Sequence, residues 1–469
     1  MAPAIPPARD RDQSWRPGNG QAVERRARPA EERVMRTTEA ARSQPVTERK
    51  QAWYRDITWA QWRVLIAAWG VWVMDAVDFL AITFVLRDIA GEFHVGLEAA
   101  SLLLFATYGV RWLGGLLFGS LSDRIGRKIP LVITLAWFTG GAVLTGLSWN
   151  FAVLAVFRLL LGFGMAPGFS LGATMVAESW PEKYRSIGIG ILDTGWGLGA
   201  IGAAIAYDLV YPAFGWRAMF FVGVIPAILL GLFILFCVPE SEAFRRGGRP
   251  ARVPLRDNPA VLLFRRYPKR VAYLALLMLV LCFGSWPFQG LFPTYLKSLS
   301  FSPALITVLT MTSACGQVIG FFASGFFASG FIAERIGRRW GIGLMIGIGS
   351  LCVAALVYSV HLFWLAELFA FLSGFFLVGS SGIWGTILTE NLPRDVRASG
   401  VGFLYNVGVI GGGLAPYIVL STVKAAAMPI ALGIAGFSVV AALLAMAILL
   451  RVRETRGMRL EEIDAGLAE

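Results

Sequence analysis

The stretch Gly115-Leu116-Leu117-Phe118-Gly119-Ser120-Leu121-Ser122-Asp123-Arg124-Ile125-Gly126-Arg127-Lys128 decides how this chain reads. Its charged end returns 211 residues later as Glu334-Arg335-Ile336-Gly337-Arg338-Arg339. Each copy lies between two apolar stretches long enough to cross a bilayer as helix, which takes roughly 20 residues. A charged turn written twice at equivalent places in two hydrophobic halves points to a membrane transporter built by duplication. Two further pairs keep nearly the same spacing. Glu178-x-x-Pro181-x-x-x-Arg185 returns as Glu390-x-x-Pro393-x-x-x-Arg397 at an offset of 212, and Pro239-Glu240-Ser241 as Arg453-Glu454-Thr455 at 214. Chance similarity between apolar sequences would not set charged turns at a common offset.

The bulk numbers agree. Of 469 residues, 56% are hydrophobic and only 15% charged, where a soluble domain carries about 25% charge. Mean hydropathy is +0.64. Apolar runs predict membrane helices over 64–86, 99–121, 130–149, 151–177, 187–209 and 218–238, then 271–296, 303–330, 341–359, 362–387, 398–422 and 427–450. The expected fold is all-α and integral to the membrane, with twelve transmembrane helices in two six-helix bundles. The expected domains are a disordered cytoplasmic arm (1–60), an N-terminal bundle (61–238), a cytoplasmic linker (239–270), a C-terminal bundle (271–451) and a cytoplasmic tail (452–469). Residues 1–60 hold no apolar core of a signal peptide, and their Pro, Arg and Glu content suits an unfolded arm.

A net charge of +12 invites a nucleic-acid reading, but its placement argues against one. Lys and Arg crowd the N-terminal arm, the 121–128 turn, the 182–185 turn, the 245–270 loop, the 335–339 turn and the 451–459 tail. These are alternate loops, the pattern of the positive-inside rule. Both termini are therefore expected in the cytoplasm of a multi-pass protein of the cell's inner or plasma membrane. The expected partners are the lipid bilayer, a small organic anion and a proton, with no nucleic acid, and the chain is expected to act as a monomer. Cys237, Cys282, Cys315 and Cys352 lie in or beside apolar runs without metal-ligand spacing, so neither disulfide, metal nor cofactor is expected. With His94 and His361 both near loops and no nucleophile constellation, an enzyme is not expected.

Gly115-x-x-x-Gly119-x-x-x-Asp123-Arg124-x-Gly126-Arg127-Lys128 resembles the signature turn of the major facilitator superfamily, and Arg158-x-x-x-Gly162-x-Gly164 resembles its second motif. The likeness covers nearly the whole chain after residue 60. Met74-Asp75-Ala76-Val77-Asp78-Phe79 resembles the paired-aspartate motif of organic-acid:proton symporters. Arg111-Trp112-Leu113-Gly114-Gly115, Glu178-Ser179-Trp180-Pro181 and Gly215-Trp216-Arg217-Ala218 are similar to the sialate:proton symporter group, which includes lactate and pyruvate permeases. So is Arg397-Ala398-Ser399-Gly400 through Tyr405-Asn406, and Gln289 through Thr294 is similar to its monocarboxylate carriers. The chain departs from the group twice. Pro167-Gly168-Phe169 follows Met165-Ala166 where a glutamate is usual, and Gly290 follows Gln289 where an aspartate is common.

Several residues are candidates for the chemistry. Asp75 and Asp78, three apart, share one face of a helix, and a carboxylate at mid-membrane costs about 2.5–3.5 kcal/mol on insertion scales. Burial and a like-charged neighbour both favour the protonated carboxyl, so the pair suits proton coupling; the alternative is that an aspartate only neutralises an arginine. Arg111 falls at a similar depth and suits a carboxylate. It either exchanges between an aspartate and the substrate or stays permanently paired. Arg158, whose coupling role the resemblance implies, and Asp193 complete the proton-coupling set. Trp196, Trp286, Gln289, Trp384, Tyr405 and Asn406 are expected to bind substrate with Arg111. Asp123, Arg124, Gly126, Arg127, Glu178, Arg185, Glu334, Arg335, Arg338, Glu390 and Arg397 are expected to form a cytoplasmic gate. Gly164, Gly168 and Gly172 predict a smooth stripe for close helix packing. The expected function is proton-coupled symport of a small organic acid, a monocarboxylate such as lactate or pyruvate or a sialate-like acid, by alternating access. The alternatives are a proton-driven antiporter or exporter, disfavoured by the absence of proline from Gly188 through Gly195, and a transport-inactive sensor.

Overall fold

In a computed structural model the chain is described for residues 53–240, 259–329, 337–393 and 396–452. The arm up to residue 52, most of the linker and the tail from 453 lie outside the described residues. So do Glu334 and Arg335 and the side chains of Asp123 and Arg338.

The described residues from Ile57 onward belong to one unit made of helices and turns. The first half holds α1 (Trp59–Glu92), α2 (Leu97–Gly109), α3 (Arg111–Ile125), α4 (Lys128–Gly146), α5 (Phe151–Met165), α6 (Pro167–Ser179), α7 (Arg185–Leu209), α8 (Tyr211–Ala218) and α9 (Val224–Cys237). After α10 (Pro259–Arg266), the second holds α11 (Pro268–Ser298), α12 (Pro303–Ser329), α13 (Arg338–Ser359), α14 (Phe363–Ser373), α15 (Ser381–Glu390), α16 (Arg397–Ala425) and α17 (Ile430–Leu449). Among the described residues, eleven helical stretches are long and apolar enough to cross a membrane. They match the predicted spans except the sixth, where α9 has only 14 residues, about 21 Å of helix. Turns at 219–223 precede it, so the apolar run expected as one span over 218–238 is helical only in its second part.

Local chemistry sets the ends. Thr58 caps α1 in a capping box: its hydroxyl accepts from the Gln61 N–H at 3.4 Å, and the Gln61 side chain accepts from the Thr58 N–H at 2.8 Å. The repeated turn needs a left-handed residue in both copies, and Gly126 (φ 98°) and Gly337 (φ 91°) supply it. Three spans are interrupted in mid-course. Span two breaks at Val110 between α2 and α3. Span four breaks at Ala166, where Pro167, lacking an N–H, starts α6. Span ten carries a π-helical turn over Gly374–Val378.

The duplication seen in the sequence returns in the packing. α1 packs on α7 as α11 packs on α16, and α4 on α5 as α13 on α14. Between the halves, α2 meets α16 and α12 meets α7, pairings that exchange when each span is replaced by its counterpart in the other half. α1 and α11 meet each other. These helices wall the space between the halves.

Candidate functional site

Asp75 and Asp78 lie one turn apart on α1, and both are buried. Each faces its own arginine. Arg111 Nη2 donates to Asp75 Oδ2 at 2.6 Å and Nη1 to Oδ1 at 3.5 Å. Arg158 Nη1 donates to Asp78 Oδ2 at 3.0 Å, and its Nε donates to the Thr107 hydroxyl at 3.0 Å. That hydroxyl in turn donates to the Leu103 carbonyl at 2.9 Å. Arg158 is 0% exposed. A buried ion pair is kept by geometry and by hydrogen bonds to its remaining atoms, and both pairs here are short.

Backbone features put the arginines in place. Arg111 is the first residue of α3, directly after the break at Val110. Arg158 is held against α2 by Gly162, one turn further along α5, where any Cβ would overlap the Thr107 carbonyl. Gly114 does the same between α3 and α5, against the Phe163 carbonyl. The predicted small-residue stripe packs closely too: Gly168 faces Val71 and Gly172 faces Ala68, both on α1, while Gly164 faces Trp137 on α4. Gly168 also stands where a Cβ would come to 3.8 Å from Asp75 Oδ2. The segment that departs from the symporter group, Pro167-Gly168-Phe169, is thus beside Asp75.

Aromatic rings close around Arg111. Its guanidinium lies 5.3 Å from the Tyr108 ring centre and 5.8 Å from that of Trp72. Trp72 touches Phe169 (4.7 Å) and Trp196 (5.1 Å), and Phe79 links Tyr108, Trp196 and Trp286 at 4.9–5.5 Å. Tyr405 stacks on Phe169 at 6.3 Å. This cage is built from both halves and is tied across by Trp196 Nε1, which donates to Gln289 Oε1 at 3.0 Å. Inside it the Tyr108 hydroxyl and the Trp72 indole N–H are buried without a hydrogen-bond partner. Buried polar atoms left in that condition are open to further hydrogen bonds.

The remaining predicted residues fall less centrally. Trp286 and Gln289 belong to the cage. Trp384 is buried with its own N–H unpartnered, and Asn406 donates to the Gly402 carbonyl of its own helix at 2.8 Å. Asp193 is half-buried, and among the described residues it has no ion-pair partner. Of the charged turn, Arg127 pairs with Glu178 at 3.3 Å and donates to the Ser122 carbonyl at 2.7 Å. Both residues belong to the first half. Arg124 and Arg185 are exposed. Arg397 Nε donates to the Leu392 carbonyl at 3.0 Å, and Glu390 is buried.

Sequence reading did not single out Tyr108, Trp72 and Phe169 of the cage or Thr107 at Arg158, and it missed four further contacts. Glu240, noted only as part of a repeat, accepts from the N–H of Arg127 at 2.8 Å and of Lys128 at 3.4 Å, closing the turn. In the second half Arg339, the counterpart of Lys128, reaches the Leu450 and Val452 carbonyls at 3.4 Å. Thr312 donates at 2.5 Å to Glu367, an acid whose lone position in an apolar run was visible in the sequence. At the end away from the charged turns, ties join the halves. Lys297 Nζ bonds Asp88 at 2.5 Å and the Tyr211 hydroxyl at 2.6 Å, and Lys424 pairs with Glu98. Thr294 donates to the Thr83 carbonyl at 2.9 Å and Thr307 to that of Ala204 at 3.1 Å.

A family model described as the Major Facilitator Superfamily matches residues 64–416 and 274–466. The chain is 30% identical over 373 residues to the sialic acid transporter NanX of Escherichia coli, covering 78% of this chain and 88% of that one. It is 29% identical to a probable 4-methylmuconolactone transporter of Cupriavidus pinatubonensis (88% and 95% covered) and 28% identical to the niacin transporter NiaP of Acinetobacter baylyi (74% and 84%). Among solved structures, a D-xylose–proton symporter superposes with a TM-score of 0.65 at 17% identity, covering 84% of this chain and 99% of that one. A bacterial Spinster homologue, inward-facing and unoccupied, superposes with a TM-score of 0.58 at 20% identity, covering 84% and 96%.

Proposed function

The chain belongs to the Major Facilitator Superfamily, a family of transporters rather than enzymes, and from that membership we propose that it carries a small organic acid across the membrane together with a proton. The observation that carries this reading is Arg111: a buried guanidinium, held by Asp75, at a helix break and inside a cage of aromatic rings. A guanidinium binds a carboxylate through two parallel hydrogen bonds. The substrate carboxylate would take Arg111 from Asp75, and the released Asp75 would then hold a proton. Asp78, paired with Arg158, would be the second protonatable group. Charge inside the site is balanced in both states, which is the physical reason for coupling.

The names of the relatives support the substrate class, since sialic acid and niacin are organic acids. Between the two forms of the reading, the aromatic rings around Arg111 favour a sialate-like or ring-bearing acid over lactate or pyruvate, because a small acid would meet few of the ring faces. Conformation fits the same scheme. With the charged turns in the cytoplasm, the ties at the opposite end would hold the outer side closed, and alternating access would break them.

The reading is tested by thermal-shift measurement of the purified protein against N-acetylneuraminate, nicotinate, benzoate, lactate and pyruvate at two pH values. Stabilisation by at least one acid, lost in Arg111→Ala, is expected. Equal stabilisation of the Arg111→Ala protein would refute the role of the arginine.

A further inference from the structure

Asp78 has a second face. Its Oδ2 is held by Arg158, but its Oδ1 is buried with no hydrogen-bond partner. It borders a small cavity, about 20 Å³ measured at the centre of a water-sized sphere and so room for roughly one water, walled by α1 (Met74, Val77), α4 (Phe138, Thr139, Ala142) and the start of the sixth span (Met219, Phe220). The Thr139 hydroxyl is a wall atom buried without a partner, and Arg158 Nη2 is unpartnered too. Phe220, also in the wall, has its ring 5.8 Å from the Arg158 guanidinium. None of the cage rings around Arg111 lines this cavity. An apolar void would stay dry, but a buried water is stable where it finds two to four polar partners.

The cavity reaches the 219–223 turns, where the sixth span is not helical. Those turns follow α8, whose Trp216 donates to Glu92 at 2.6 Å and whose Arg217 pairs with Glu92. They therefore belong to the end opposite the charged turns.

We infer that Asp78 exchanges its proton through a hydrated pocket of its own, between α1, α4 and the start of the sixth span, separate from the central cage. This rests on the proposed function, which places that end outside and gives Asp78 a proton to take. In the step, a protonated water bonded to Thr139 gives its proton to Asp78 Oδ1; one water O–H bond breaks, the carboxyl O–H forms and a neutral water remains. Arg158 keeps its bond to Thr107 throughout. The charged groups facing Asp78 are Arg158 from α5 and Asp75 one turn back on α1; among the described residues the walls from α4 and the sixth span add none. A proton path through this pocket would let proton and acid enter without competing for one route.

The test needs no substrate. Infrared spectra of the full chain in lipid nanodiscs are recorded during transfer to D2O, with the Asp78 carboxyl band assigned by its loss in Asp78→Asn. Thr139→Val removes the hydroxyl at nearly constant volume, and Ala142→Leu fills the pocket. Deuterium exchange of the Asp78 band is expected to slow about tenfold or more in each. Thermal melting identifies a variant that has failed to fold, and Thr139→Val stands alone if Ala142→Leu does. Wild-type exchange in folded Thr139→Val, or no Asp78 carboxyl band at any pH from acidic to neutral, would overturn the inference. If exchange slows but proteoliposomes accumulate no organic acid, the transport reading fails and the pocket stands.

Discussion

At the residue scale the two aspartates differ through their partners. Asp75 shares Arg111 with the cage, whereas Asp78 is bound to Arg158, itself anchored by Thr107. Asn at either position should abolish proton-driven accumulation in proteoliposomes. Exchange of internal for external acid should survive in Asp78→Asn, because Arg111 and the cage are intact, and be lost in Asp75→Asn. Full uphill uptake by both variants would remove them from coupling. The Arg158–Asp78 pair makes a stability prediction as well. Arg158→Met strands a buried carboxylate, which costs about 3–5 kcal/mol, so its melting temperature should fall sharply. Arg158→Met with Asp78→Leu should recover most of the loss. Melting of the double variant at or below the single would show that the pair does not stand alone.

At the scale of elements, the site depends on helices that come close and on helices that break. Gly162 brings α5 onto Thr107, and Gly114 brings α3 onto Phe163. Overpacking such a contact costs about 1–3 kcal/mol. Gly162→Val should lower both thermal stability and proton-driven accumulation, because the displaced α5 carries Arg158, the partner of Asp78. Gly119, with open space around its Cβ direction, should accept Ala with neither change. Much of this was legible beforehand. The spacing Arg158-x-x-x-Gly162 put arginine and glycine on one face, and charged turns at a common offset marked the ends of the spans. The breaks were not. Pro167 could be read as an interruption, but nothing in Tyr108-Gly109-Val110-Arg111 sets the end of α2, and the π-helical turn at Gly374–Val378 arises from packing in which Gly374 lies against the Ser313 carbonyl. Asp75 and Arg111 could be matched by depth, because distance along a helix is fixed by sequence. The second pairing, Asp78 with Arg158, needed the rotation of α5, which sequence does not give.

At the scale of the whole molecule, the halves meet in exchanged pairs, α2 with α16 and α12 with α7, and are tied at one end by Asp88–Lys297–Tyr211 and Glu98–Lys424. These ties escaped sequence reading because each joins the ends of spans far apart in the chain, and a charge beside a loop resembles any interfacial charge. Exposed pairs contribute roughly 0–1 kcal/mol, but two states separated by little energy respond to that. Lys297→Ala with Lys424→Ala should therefore shift the balance toward opening at this end. Spin-label distances between α2 and α16 would show it as a larger long-distance fraction; an unchanged distribution would count against the ties as a latch.

On the proposed function, acid and proton cross together, with Asp75 and Arg111 as the shared site. Its most direct measurement is uptake of N-acetylneuraminate, or of the acid that thermal shift selects, into proteoliposomes under an imposed inward proton gradient, with internal pH recorded at the same time. Accumulation above the external concentration accompanied by internal acidification is expected, both abolished in Asp75→Asn and by a protonophore. Accumulation that persists unchanged with the gradient collapsed, or uptake with no movement of protons, would contradict it.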